Sequence, residues 1–163
     1  MAVNLIKIGH VSNTHGLKGE IRILSNFRYK DNAFKVANKL YIMNDELIIK
    51  SYRKHKEFDM VTFKELDKID DVLIYKGEDV YIDRDTLEYD GYLDEDLIGL
   101  DVYDNNQLMG KVVDIMKTNA HDLLVIQNKK KHMVPNIDQF VKNVDLANKR
   151  IEIAYIKGLT DED

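Results

Sequence analysis

Residues 9–23 read GHVSNTHGLKGEIRI, and the fold turns on that stretch. Three glycines (Gly9, Gly16 and Gly19), two histidines and Lys18 stand together between apolar runs. A dinucleotide or Walker phosphate loop needs the order strand, glycine-rich turn, helix. Here Ile21 and Ile23 alternate with Glu20 and Arg22, so a strand follows the glycines instead. Ahead of them Ile6, Ile8 and His10 alternate with Lys7 and Gly9. The stretch therefore predicts two strands joined by a tight reversal, with Gly16 and Gly19 in backbone angles closed to other residues. Such a reversal also holds His15 and Lys18 out rigidly.

Working outward, ELIIKSYRKHKEFDMVTFKEL places an apolar run on each side of a polar centre, Arg53 to Glu57, as in a hairpin with an exposed basic turn. Residues 39–43 and 79–83 supply further short strands. KIDDVLIYKG is the one helical pattern of this half: Ile69, Val72, Leu73 and Tyr75 or Lys76 follow helical spacing, Asp67 is placed to cap it, and Gly77 suits the left-handed position after its end. A β-barrel with one closing helix fits this order. RDTLEYDGYLDE, residues 84–95, is acidic, contains Gly91 and has no sustained period, which marks a linker. Beyond it LIGLDVY, QLMGKVVDI, DLLVIQ, KHMVP and RIEIAYI are strand-like runs, with brief helical content around residues 136–141. These imply a second small barrel. The expected fold is mainly β: a first domain over 1–84, a linker over 85–95 and a second domain over 96–163.

Composition narrows the chemistry. The chain has 163 residues and no cysteine, which excludes disulfides, thiolate zinc sites and a cysteine nucleophile. No run approaches the roughly 20 apolar residues of a membrane span, so a cytoplasmic protein is expected. His10 and His15, five apart in glycine-broken sequence, match neither a helix face nor zinc spacing. His121 and Asp122 are adjacent, and adjacent strand residues point to opposite faces, which argues against a catalytic dyad. No catalytic residue, cofactor or metal is expected.

The net charge of −5 hides an asymmetry. Residues 1–58 carry 11 Lys/Arg against 5 Asp/Glu, whereas residues 59–110 carry 4 against 16. A protein gripping nucleic acid along its whole length is positive overall, because counterion release supplies that affinity. This chain suits local RNA contact at most, and its acidic middle suits a basic protein. Lys129, Lys130 and Lys131 read as an exposed hairpin tip able to touch phosphate. Tyr89 and Tyr92 bracket the linker, where they either pack the two barrels or anchor a partner.

Taken together, GHVSNTHGLKGEIRI, YKGEDVYIDRD, DEDLIGLDVYDNNQLMGKVVDI and HMVPNIDQFVKNVDLANKRIEIAYIKGL resemble, in order along nearly the whole chain, the ribosome maturation factor RimM family, also called 16S rRNA processing proteins. The resemblance implies a translation-factor-like β-barrel followed by a PRC-barrel. It implies a non-enzymatic assembly factor that binds the immature small (30S) ribosomal subunit, assists maturation of its head and of 16S rRNA, and contacts the nineteenth small-subunit protein. It implies no cofactor, and a monomer is expected. The family commonly carries an adjacent aromatic pair before its Asp-Leu-Ile-Gly motif. The matching positions here are Tyr92 and Leu93, so a contact needing two rings is weakened while an apolar anchor is kept. Tyr92, Leu93 and Asp96 are the expected protein-binding residues, and His15, Lys18 and Lys130 the expected contacts to the subunit. Two rivals remain: an RNA-processing or RNA-modifying enzyme, and a regulatory PRC-barrel protein that binds a small molecule.

Overall fold

A computed structural model describes residues 3–118 and 120–154. The chain divides into two compact units, Met1–Asp90 and Gly91–Asp163. In the first, β1 (Leu5–His15), β2 (Glu20–Leu24), β3 (Lys39–Ile42), β4 (Asp45–His55), β5 (Phe58–Phe63) and β6 (Asp79–Asp83) close a barrel in the order β1-β2-β5-β4-β3-β6. A short helix α1 (Lys30–Ala33) lies between β2 and β3, and α2 (Ile69–Val72) lies between β5 and β6. Alternation fills the barrel: Val11, Ile21, Ile23, Leu40, Ile42, Ile49, Val61, Phe63 and Val80 are all fully buried in one cluster. Between β3 and β4 the chain turns through Met43 and Asn44, both with positive φ, as a two-residue hairpin requires.

The predicted helix is shorter than its pattern. Residues 69–72 are α-helical, and Leu73–Tyr75 tighten into a 3₁₀ turn that ends before Gly77 at φ +84°. Asp67 does not cap it. Lys68 holds the capping position, with its backbone N–H on the Asp71 carboxylate at 3.2 Å, while Asp67 accepts from Lys50 at 2.7 Å. The buried Tyr75 donates its hydroxyl to Asp45 at 2.8 Å, and burial together with that bond pushes its phenol up to about 12.

The second unit holds α3 (Asp94–Leu97) and a six-stranded sheet of β7 (Asp101–Asp104), β8 (Gln107–Lys117), β9 (Asp122–Gln127), β10 (Lys131–Pro135), β11 (Val141–Asp145) and β12 (Arg150–Ile153). Its order is β10-β9-β8-β7-β12-β11, antiparallel except for the β7–β12 pair. Leu97, Val102, Val112, Leu124, Ile126, Val134 and Ile151 form its core. Residues 136–140 make a turn in place of the expected helical content, and β11 follows it unannounced. A bulge between Val141 and Asn143 breaks the alternation that reveals a strand. The expected strand RIEIAYI is seen through Ile153, and its last two residues lie outside the described ones.

Candidate functional site

The glycine-rich stretch is a reversal between β1 and β2, as its spacing predicts. Gly16 and Gly19 take φ +72° and +82°, which L side chains rarely adopt. The loop is pinned from outside: Ile69 donates its backbone N–H to the Leu17 carbonyl at 3.0 Å, and Gly19 is packed against Leu66 so closely that a Cβ would lie 2.2 Å from the Leu66 carbonyl oxygen. Leu17 and Lys18 project into solvent, Leu17 with 78% of its surface exposed.

Lys18 is thus presented by a fixed loop, and His15, at the end of β1, is engaged. Its Nδ1 lies 2.7 Å from Arg22 Nη2 and 3.2 Å from Arg22 Nε. The His15 and His55 rings lie 6.1 Å apart. On the neighbouring strand Glu20 takes a two-pronged bond from Arg53, at 2.7 and 3.0 Å. His10 is engaged elsewhere, with its Nδ1 3.1 Å from Asp79.

Arg53 holds the Glu20 carboxyl below its ordinary 4.5 by hydrogen bonding, against burial and with help from the charges of Arg53, His15 and His55. A depressed carboxylate adds stability that is fully present above the unfolded-state value and is lost as pH falls through the folded-state one. Urea titrations should therefore show Glu20→Gln less stable than the wild type at neutral pH, with the gap closing as pH falls below 4.5. A gap that persists in acid sinks this reading.

At the start of the second unit, Tyr92 is half-buried against that unit's core, with its hydroxyl 3.2 Å from Asn136 Nδ2 as acceptor. Leu93 requires a correction. It is only 4% exposed and offers no apolar surface to a partner, because it immediately precedes α3 and turns inward. Asp96 accepts the Leu93 backbone N–H at 2.9 Å and so closes the first turn of α3. Asp94 pairs with Lys117 at 2.5 Å. Tyr89 packs on the first unit's core, its ring 4.9 Å from that of Tyr29. Lys130 sits exposed in the β9–β10 turn, where Asn128 donates to its carbonyl at 3.0 Å. Of the six expected residues, His15 and Lys18 lie in the first unit, and Tyr92, Leu93, Asp96 and Lys130 lie in the second. Arg22 and His55, which lie against His15, and Arg53, which holds Glu20, are not among them, although the alternation of Glu20 with Arg22 and the basic centre of the β4–β5 hairpin are visible in the sequence.

Two family models match in sequence order: the RimM N-terminal domain over residues 6–87 and the RimM PRC barrel domain over residues 94–159. This chain belongs to the RimM family. The barrel is the family's N-terminal domain, and the second sheet is its PRC barrel domain. Among the curated relatives, the ribosome maturation factor RimM of Staphylococcus haemolyticus is 37% identical over 165 residues, covering 96% of this chain and 99% of its own. That of Shouchella clausii is 36% identical over 171 residues, covering 98% and 99%. A solved 16S ribosomal RNA processing protein RimM from Pseudomonas aeruginosa is 23% identical over 94% of this chain and 98% of its own, with a TM-score of 0.47. Among the described residues, no helix of the RimM chain is long and apolar enough to cross a membrane.

Proposed function

We propose that the chain is a cytoplasmic ribosome maturation factor that binds the immature small (30S) subunit and assists maturation of its head and of 16S rRNA by holding it, without making or breaking a bond. The observation that carries this reading is the match of both RimM domain models to this chain, in order, together with its similarity over nearly their full length to proteins named ribosome maturation factor. The nineteenth small-subunit protein is the proposed protein partner. The acid-rich residues 59–110 complement a basic surface, and Tyr92 offers a half-exposed ring within that stretch. Lys18, His15 and Lys130 are the proposed contacts to the rest of the subunit, made by a monomer.

A holding factor works only if it prefers the immature state, since equal affinity for both states shifts nothing. A tenfold preference corresponds to about 1.4 kcal/mol. Co-sedimentation of the purified chain should therefore favour immature over mature small subunits by about tenfold or more. Tyr92→Ala, which leaves Leu93 and the α3 turn in place, should weaken that association by about tenfold when assayed well below its own thermal midpoint, which falls because the ring packs on the second unit's core. Equal binding to both states overturns the holding mechanism. Cleavage or modification of precursor 16S rRNA by the purified chain alone overturns the non-catalytic reading.

A further inference from the structure

Barrel pairing brings together an outer face that no local stretch of sequence contains. Because Ile21 and Ile23 point into the core, Glu20 and Arg22 point out, and cross-strand partners share a face. His15 stands opposite Glu20, Arg22 opposite Met60, Met60 opposite Arg53, and Phe58 opposite His55. Four neighbouring strands, β1-β2-β5-β4, thus carry one continuous surface. Met60 is fully buried yet belongs to the outer side, roofed by the arginines that flank it.

The surface is built of flat groups. The Arg22 guanidinium lies 5.5 Å from the centre of the Phe58 ring, and the His15 and His55 rings stand beside it. Around this plane Lys18 and Lys56 are exposed, whereas Lys54, opposite Asp59, belongs to the other side of the sheet. The acids nearby are accounted for or sparse: Glu20 is bonded to Arg53, Asp59 is buried beneath the face, and Glu57 lies in the β4–β5 turn. Flat cationic and aromatic groups on a sheet, rimmed by lysines, are what unpaired bases stack on while their phosphates are neutralised. Duplex RNA hides its bases and meets proteins through its grooves and backbone, so it fits this plane poorly.

We propose that the outer face of β1-β2-β5-β4 binds single-stranded RNA, with bases stacking on Arg22, His55 and Phe58 and phosphates held by Lys18 and Lys56. This deepens the subunit-binding reading and rests on it for the source of the strand. The glycine-rich loop has a place in it, because the pinned reversal sets Lys18 at the edge of the stacking surface.

The test is fluorescence anisotropy of the full chain with a labelled single-stranded oligoadenylate and with an RNA duplex of the same length, at two salt concentrations. The single strand should bind more tightly than the duplex and lose affinity as salt rises. Combining Arg22→Gln, His55→Ala and Lys56→Asn should weaken oligoadenylate binding by at least about tenfold. Asparagine is chosen at position 56 because the φ there is +55°. The control Lys35→Gln with Lys39→Gln, which removes two charges from elsewhere on the unit, should change binding little. If the triple variant melts early, Lys18→Gln with Lys56→Asn at the two turns replaces it, with a several-fold loss expected. No binding by the wild type, equal loss in the control, or unchanged binding by the variants overturns the proposal. Association with immature subunits without oligoadenylate binding defeats this inference alone, whereas oligoadenylate binding without subunit association defeats the maturation reading.

Discussion

Replacing Asp59 with alanine should cost the first unit about 3–5 kcal/mol, the range seen when one partner of a buried charge pair is removed. Asp59 has no exposed surface. One carboxylate oxygen accepts from Lys30 at 2.9 Å, the other accepts the Tyr52 hydroxyl at 2.6 Å, and Lys54 lies 3.6 Å away. Burial pushes the Tyr52 phenol up, and the bonded carboxylate pushes it further. Burial lowers the Lys30 ammonium, but its side-chain hydrogen bonds, that to Asp59 foremost, together with the charges of Asp59 and Asp31 outweigh this and leave it above its ordinary value. Alanine leaves the Tyr52 hydroxyl and one Lys30 proton without their acceptor, and it frees α1, which carries Lys30, from β5. Asp59→Asn keeps an acceptor for Tyr52 and should cost less. Urea unfolding measures both; a loss below about 1 kcal/mol for the alanine variant would mean that the carboxylate is not the buried tie described here.

Gly19→Ala should be nearly as damaging, about 3 kcal/mol, and Gly16→Ala supplies the control. Both glycines sit at positive φ, which alone costs a residue with a Cβ about 1 kcal/mol. At Gly16 a Cβ meets nothing within 4 Å, so the cost should stop there. At Gly19 it lands 2.2 Å from the Leu66 carbonyl oxygen, which is backbone and cannot swing away. The loop or the segment before α2 must shift, and the bond from Ile69 to Leu17 goes with it. Thermal melts of the two variants should differ clearly. Equal midpoints would show that the loop is not held where the geometry puts it.

The unequal fate of these two glycines shows how far local pattern reaches. Alternation around residues 9–23 is a short-range property, so both strands and the need for positive φ are legible there. That Gly19 is the costlier position depends on Leu66, which no spacing rule connects to it. The stacking surface shows the same division. His15 and Lys18 stand out because they interrupt a glycine loop, while Arg22 joins Arg53, His55 and Phe58 of the β4–β5 hairpin only when β5 pairs with β2. Leu93 misleads for a related reason: the acid-rich stretch around it reads as solvated, yet a single apolar residue ahead of a short helix is drawn inward. β11 escapes the pattern because its bulge cancels the one signal available.

The closure of the barrel by β1 against β6 has a kinetic consequence. Lys7 meets Tyr81 and Leu5 meets Asp83, so the first strand synthesised has no partner on that side until nearly the whole unit has been made. Contacts that span so much chain raise the contact order and slow folding, because loop closure must precede the reward. During synthesis the outer edge of β1 stays open to pairing with another chain, and the arrival of β6 is what seals it.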